Sequence, residues 1–342
     1  MKILVIDYLS YKGHKNFNQI HINALLSQGH TLELLGKEGH FDNITQCDKV
    51  KVSSIPSIFY HNLFLPQITA RINFIICLLW VRFKYCTKNY DLSLILTYDP
   101  LSVFAFRSKK PVVLITHDGH YLDNKIKLSA LKLTPKHYIH IGLSEEISDH
   151  IKSLLPNRRV YHIPHGLYQP SLDYVTPSYI KDGEDFLFCP INMKYEKQVV
   201  NQIMGDERFH KYLEENNTKL YVKKQVISQS ICEMIVPIEN DIPKKEYDYM
   251  MQNATAVLLP YEKDYKYRCS AIMLECVIRD TPVMATRLEA WSYLKDSINL
   301  IMFDNVIDII NGLDFFKTNS RIKVDKSIFD PTPYWKSVLL DL

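Results

Sequence analysis

Three polar residues near the expected start of a helix are placed to bind a phosphate group. Arg268 and Ser270 lie in a polar loop after an apolar strand, and Glu275 follows five residues after Ser270. The hydroxyl of Ser270 can cap the helix, which leaves backbone N–H groups and the positive end of the helix dipole for an anion. Arg268 could neutralise a pyrophosphate held there, and Glu275 could reach its ribose. In the alternative interpretation, Ser270 is an ordinary cap and the two charged residues are solvated.

The segment that contains these residues, 255–286, resembles the donor-site signature of retaining GT-B glycosyltransferases of family 4. The matching residues, in order, are Leu259-Pro260-Tyr261, Ser270-Ala271, Glu275 and Thr281-Pro282-Val283-Met284-Ala285. The resemblance implies that the backbone at Ser270 and Ala271 holds the donor phosphate and that Glu275 bonds the ribose hydroxyls.

Two positions in this segment differ from the family's signature. Tyr267 stands eight positions before Glu275, where the family often has a second glutamate. Tyr267 or Arg268 would therefore have to contact the donor sugar. Asp280 stands where the family usually has a glycine.

A histidine and an aspartate, His117 and Asp118, directly follow the apolar strand PVVLIT. An active-site loop belongs at such a strand end, where an imidazole could bond the donor sugar and a carboxylate could orient it or the acceptor. The same family commonly has a His-Asp pair at this position, facing the reacting sugar. His117 and His120 could also be metal ligands, but no third and fourth ligand stands at zinc-like spacing, so no metal site is expected.

Further donor contacts are expected from the resemblance alone. Near the start of its second domain the family has basic residues that clasp the diphosphate, and here Lys194 or Lys197 would take that role. A lysine there would stabilise the charge left on the departing nucleotide. Gly13 lies in the loop after the first strand, where the family has a glycine-rich turn. The dinucleotide pattern G-x-G-x-x-G is absent, which argues against an NAD enzyme.

Short β-branched strands alternate with helical patterns along most of the chain, and this alternation predicts parallel, doubly wound sheets. The pattern lapses over residues 169–184, which predicts a linker. We therefore expect an α/β protein with two Rossmann-like domains, residues 1–168 on the acceptor side and residues 185–320 for the nucleotide sugar, facing across a cleft in the GT-B arrangement. Residues 321–342 are expected to form a helix that packs back on the first domain.

Length and composition indicate an ordinary globular protein. The chain has 342 residues, enough for two domains, with 46% apolar and 23% charged residues. Its seven cysteines show no CxxC pair and mostly lie in apolar runs, as free thiols in a reducing cytosol do. The opening MKILVID reads as a strand rather than a signal peptide, so a cytoplasmic location is expected.

The charge distribution and one apolar segment bear on membrane contact. Residues 1–175 carry a net charge of +7 and residues 176–342 a net charge of −4. The basic half could attract an anionic membrane or a phosphorylated acceptor, or it is ordinary surface solvation. The apolar run 72–81 lies between Arg71 and Arg82 and has about half of the roughly twenty residues that a membrane span needs. It is either a buried helix between two strands or a helix lying in the membrane interface.

The predicted function is the transfer of a sugar from a UDP- or GDP-linked donor, with retention, by a hexosyl- or N-acetylhexosaminyl-transferase. By analogy with the family, the acceptor is a surface polysaccharide or a lipid-linked glycan, at the inner face of the cell membrane. No obligatory metal is implied, since the sequence has no D-x-D motif, and no nucleic-acid partner is expected. The alternatives are a nucleotide-sugar epimerase of similar architecture and a catalytically degenerate GT-B subunit that binds a partner glycosyltransferase.

Overall fold

The computed structural model describes residues 1–9, 14–45, 47–60, 66–85, 89–191, 196–227, 232–294, 299–319 and 322–342. They form two compact units. The first unit comprises Met1–Tyr168, Tyr267–Cys269 and Ile328–Leu342, and the second comprises Gln169–Lys266 and Ser270–Ser327. The long segment of the first unit ends at Tyr168, which is the last residue of the predicted first domain. Residues 169–184, predicted as a linker, group with the second unit.

The first unit is built on a sheet of seven parallel strands. The strands are β1 Lys2–Asp7, β2 Thr31–Gly36, β3 Val50–Ser54, β4 Leu92–Ile95, β5 Val112–Thr116, β6 Ile139–Gly142 and β7 Arg159–His162. Their order across the sheet is β3-β2-β1-β4-β5-β6-β7. The central strands are continuous apolar runs because helices cover both faces of the sheet. The strand order reverses between β1 and β4, and ligands bind at the carboxyl ends of the strands beside such a switch point.

The helices of this unit are α1 Lys15–Ser27, α2 Pro66–Tyr85, α3 Lys125–Lys132 and α4 Glu145–Leu154. Ser144 caps α4, with its hydroxyl accepting from the backbone N–H of Ile147, and Asn124 caps α3. Such caps satisfy N–H groups that the first turn of a helix leaves without partners. No helix of the described residues is long and apolar enough to cross a membrane.

Helix α2, which contains the apolar run, has one buried side and one exposed apolar side. One side packs into the hydrophobic core through residues that include Cys77, Leu78 and Val81, which are at most 1% exposed. The opposite side leaves large apolar side chains in solvent, among them Ile72 and Phe83. The helix is therefore partly a core element and partly an uncovered apolar surface.

The second unit has a sheet of six parallel strands. They are β8 Phe186–Cys189, β9 Lys219–Lys223, β10 Ile235–Ile238, β11 Ala256–Leu259, β12 Val283–Thr286 and β13 Leu300–Phe303, in the order β10-β9-β8-β11-β12-β13. The helices are α5 Lys197–Met204, α6 Glu207–Glu215, α7 Lys244–Asn253, α8 Ala271–Arg279 and α9 Val306–Thr318. Here the strand order reverses between β8 and β11, which places the switch point beside the loop that leads to α8.

The last helix, α10 Thr332–Leu340, belongs to the first unit and packs against α1. Trp335 is fully buried there, and its indole N–H donates to Nδ1 of His21 at 2.9 Å. The cysteines of the described ranges form no disulfides, and all but Cys47 and Cys269 are buried.

The Gly142→Ala substitution is expected to lower the free energy of unfolding by about 1–3 kcal/mol through overpacking. A Cβ at this last residue of β6 would lie 2.4 Å from Oγ and 2.6 Å from the backbone nitrogen of Ser148, and the backbone of the packed α4 cannot yield as a side chain could. Urea denaturation measures the change. An unaltered midpoint and slope would show that β6 and α4 are not packed this closely.

Candidate functional site

The carboxyl-terminal edge of the first sheet holds a cavity of about 350 Å³ beside the switch point. Residues after β1, β4 and β5 line it. They are Leu9, His14, Thr97, Tyr98, Asp99, Pro100, Ile115, His117, Asp118, Tyr121 and Lys127. The polar lining is concentrated at strand ends, as expected for a ligand site in a doubly wound sheet. His117 and Asp118, predicted as catalytic residues, both face this cavity.

The hydrogen bond of His117 determines what its ring can offer a ligand. Nε2 lies 2.9 Å from the carbonyl oxygen of Leu96, which can only accept, so Nε2 carries the hydrogen. The other ring nitrogen is then an acceptor that suits a sugar hydroxyl. The ring stacks on His14 with 4.4 Å between centroids. Burial lowers the pKa of His117 well below its ordinary value, and His14 and His165 lower it further. The side chain is a neutral hydrogen-bonding group at neutral pH.

Buried histidines are a general feature of the first unit. Burial lowers the pKa of His21 and of His140 to about 3 and that of His165 to about 4. His21 donates to the carbonyl oxygen of His165 at 3.1 Å, and Phe17 packs against both rings. The sequence analysis did not include His14, His21 or His165 in the site, since no local motif links them to His117.

These histidines make the protein less stable in mild acid. At pH values below 6.5, the ordinary pKa of histidine, these side chains take up protons in the unfolded chain but not in the folded protein. The free energy of unfolding should therefore fall as the pH drops from about 6.5 towards 4, by up to about 1.4 kcal/mol per pH unit for each histidine. His140 lies outside the cavity, so His140→Leu tests this without altering the site, and His137→Leu, at an exposed position, is the control. Urea titrations at several pH values should give a shallower slope only for His140→Leu; equal slopes would contradict the prediction.

Asp118 is held by two contacts at the end of β5. Oδ1 accepts from the backbone N–H of His120 at 2.9 Å, and Oδ2 accepts from Nε of Arg268 at 2.9 Å. Both side chains are partly exposed. The pair orients the carboxylate and offsets its charge, so Asp118 can accept a hydrogen bond from a ligand without presenting a bare negative charge.

Tyr267 and Arg268 belong to the first unit, where they adjoin the loop that carries Asp118. The carbonyl oxygen of Tyr267 accepts from the N–H of Gly119 at 2.8 Å, and its ring stacks on His150 with 3.7 Å between centroids. The sequence predicts Tyr267 as a donor-binding residue and Arg268 as a catalytic residue that neutralises the pyrophosphate. The structure gives both residues partners in or beside the loop that carries Asp118, a grouping that the sequence did not predict, and the two predicted roles stay predictions.

Ser270 caps α8 as predicted for a helix beginning at this point. Its Oγ accepts a hydrogen bond from the N–H of Met273 at 3.0 Å. The same Oγ forms a second hydrogen bond, of 2.8 Å, with the hydroxyl of Tyr261. Tyr261 in turn stacks on Tyr265. The N–H groups of Ala271 and of the next residue belong to the first turn, which has no intrahelical acceptors for them. Ala271 is exposed, so this end of the helix is open to an anion.

Glu275 lies one turn into α8, and its Oε2 accepts from the hydroxyl of Tyr247 in α7 at 2.7 Å. Lys223, at the carboxyl end of β9, is 8% exposed. Burial lowers its pKa, and the charges of Asp241 and Glu275 oppose that shift. Lys223 was not among the predicted site residues, although its position as the last residue of KLYVK, at the edge where ligands bind, was a signal for it.

The other predicted donor contacts have different outcomes. Lys197 is the first residue of α5, after β8, and is partly buried. Lys194 and Gly13 lie outside the described residues.

Asp280, which stands where the family has glycine, adopts a left-handed conformation with φ of 54° at the end of α8. Its carboxylate accepts from the N–H of Val324 and from Nζ of Lys326, both at 3.1 Å.

No protein-family model matches the sequence, and comparison with curated proteins gives no match. Solved structures do match over the whole chain. A trehalose-6-phosphate synthase, OtsA, is 11% identical with a TM-score of 0.65 over 99% of this chain and 98% of its own. The lipopolysaccharide outer core galactosyltransferase WaaB is 12% identical, with a TM-score of 0.60 over 100% of both chains. Anabaena HepE, solved with UDP-glucose, is 13% identical, with a TM-score of 0.62 over 100% of both chains.

This chain has the GT-B glycosyltransferase fold. The prediction of two doubly wound, parallel α/β units is confirmed by the two sheets and by these matches. At such low identity the likeness establishes the fold, and the reaction has to be argued from the residues.

Proposed function

We propose that this protein is a glycosyltransferase that moves a hexosyl or N-acetylhexosaminyl group from a nucleotide-diphosphate donor to a glycan. The main support is the start of α8, where a buried serine caps a helix whose open end adjoins the switch point of the second sheet. In a GT-B fold this combination of a phosphate-binding helix end and a carboxylate one turn later suits a nucleoside diphosphate.

On the donor side, the diphosphate would bind the N–H groups of the first turn of α8, and Glu275 would accept hydrogen bonds from the ribose. Lys223, at the end of β9, and Lys197, at the start of α5 after β8, lie at the same edge of the second sheet and would supply positive charge beside the diphosphate. Stabilising the charge on the departing nucleotide in this way requires no metal ion. HepE was solved with UDP-glucose, which supports UDP as the first donor base to test, with GDP as the second.

On the acceptor side, the cavity of the first unit would bind sugar hydroxyls. His117 offers a neutral acceptor nitrogen, and Asp118 offers a carboxylate fixed by Arg268. WaaB is a lipopolysaccharide outer core galactosyltransferase, which supports a surface polysaccharide or a lipid-linked glycan as the acceptor. We propose transfer with retention at the inner face of the cell membrane.

A panel of UDP, GDP, ADP and CDP in thermal-shift measurements tests the proposal. A nucleotide that binds only the folded protein raises the midpoint, and at a hundred times its dissociation constant it adds about 2.7 kcal/mol to the free energy of unfolding. We expect UDP or GDP to raise the midpoint most. If no nucleotide changes it, the proposed function fails and the degenerate-subunit alternative gains. Incubation with UDP-GlcNAc alone identifies the epimerase alternative, because only an epimerase forms UDP-ManNAc without an acceptor.

A further inference from the structure

Helix α2 has a second apolar face that no part of the described chain covers. Ile68, Ile72, Ile76 and Phe83 are 58%, 50%, 48% and 72% exposed, and we call these four side chains the outer face of α2. At about 100° per residue they fall within about 80° of one another around the helix axis. The most deeply buried residues of α2, Cys77, Leu78 and Val81, lie on the opposite side, so burial in this unit does not explain the outer face.

Basic side chains flank the outer face on both sides. Arg71 and Arg82 lie along one edge and Lys84 along the other, each about 90–110° from the centre of the face. The 20-residue helix has no aspartate or glutamate. A helix with an apolar face between rows of Lys and Arg suits the boundary between the acyl chains and the headgroups of an anionic bilayer, where the cations meet phosphate.

Neighbouring residues extend this surface. The short helical turn Ser57–Tyr60 packs on α2, with the rings of Phe59 and Trp80 5.8 Å apart, and its Ile58 is 67% exposed. The surface is also near the cavity of the first unit. Asp99 lines that cavity, burial raises the pKa of its carboxyl, and the charges of Arg71 and Lys127 oppose the rise.

We propose that the outer face of α2 docks on an anionic lipid bilayer, with the isoleucines and Phe83 among the upper acyl chains and the three cations at the phosphates. The charge pattern favours lipid over a protein partner, because a protein interface would be expected to match these cations with acidic residues and hydrogen bonds. The net charge of +7 on residues 1–175 acts in the same direction. Docking there holds the first unit at a surface that can present a lipid-carried acceptor.

Co-sedimentation of the full-length protein with vesicles tests the proposal and needs no sugar donor. The vesicles are phosphatidylcholine alone or an equal mixture of phosphatidylcholine and phosphatidylglycerol. We expect binding to the mixed vesicles and its loss at high salt. The double variant Ile72→Glu/Ile76→Glu should bind at least about tenfold more weakly because it places charge on the face that enters the bilayer. Ile307→Glu/Phe315→Glu, at exposed apolar positions of α9 in the second unit, is the matched control and should bind like the wild type.

A second variant keeps the test decisive if the first one folds poorly. Arg71→Gln/Lys84→Gln leaves the apolar side chains in place and should weaken binding to the mixed vesicles about fivefold for each charge removed. Equal binding of the wild type to both kinds of vesicle, or equal binding of the wild type and both α2 variants, overturns the proposal. The proposal is also overturned if the wild type binds neither kind of vesicle and is a dimer by light scattering, while Ile72→Glu/Ile76→Glu is a monomer. In that case a second copy of the chain covers the outer face of α2.

Discussion

Replacing Glu275 with alanine is expected to weaken the binding of UDP or GDP by about 10- to 100-fold, the effect of losing hydrogen bonds from a charged acceptor. The carboxylate is held by Tyr247 at 2.7 Å and lies one turn from the capped start of α8. Isothermal titration calorimetry with the nucleotide alone measures the change. The variant should keep the thermal midpoint of the free protein, because Glu275 is partly exposed and takes little part in the core.

Two further variants separate a ribose contact from a general change in charge. Glu207→Ala removes a carboxylate from the exposed start of α6 and should leave nucleotide binding unchanged. Tyr247→Phe removes only the hydroxyl that orients Glu275, so a smaller loss of affinity is expected. Unchanged affinity in Glu275→Ala, for a nucleotide that does bind the wild type, would remove Glu275 from the donor site and with it the proposed ribose contact.

Replacing Asp248 with alanine is expected to lower the free energy of unfolding by about 3–5 kcal/mol, because it leaves a buried charge uncompensated. Asp248 in α7 pairs with Arg279 in α8, with 2.6 Å between Oδ1 and Nη2, and both side chains are 1% exposed. Lys244 also donates to Asp248. Guanidinium or urea denaturation, followed by a signal of the second unit, measures the loss.

The surface ion pair of Lys211 and Glu215 supplies the control for Asp248→Ala. Both residues are well exposed and 3.7 Å apart, so Glu215→Ala should cost less than about 1 kcal/mol. If Asp248→Ala costs no more than Glu215→Ala, the buried pair is not what joins α7 to α8. Because α8 carries Ser270 and Glu275, a loosened α8 should also weaken nucleotide binding.

The sequence predicted those parts of the structure that depend on local pattern. The alternation of apolar strands and helices predicted both parallel sheets, and Ser270, placed between a polar loop and a helical pattern, was predicted to cap α8. The sequence likewise predicted that His117 and Asp118 follow the end of a buried strand, because the end of a strand is a local feature of the sequence.

The contacts that the sequence did not predict join segments far apart in the chain. Arg268 pairs with Asp118 across 150 positions, and Trp335 bonds His21 across 314. Which of many charged or aromatic residues meet depends on how helices pack and on strand order, and no local spacing encodes that. Tyr267 illustrates the same limit, because nothing local in the sequence predicts that its ring stacks on His150.

The histidine-lined cavity has a consequence for regulation. Burial lowers the pKa of His14 and of His117, the two histidines of the cavity lining, and it brings that of His117 well below the ordinary value. The stacked rings of these two histidines would therefore present the same uncharged surface to an acceptor when the pH falls slightly below 7. A dependence of the rate on pH near 7 would have to originate in the substrates or in other residues, which makes this pair of histidines a recogniser of hydroxyl geometry rather than a proton sensor.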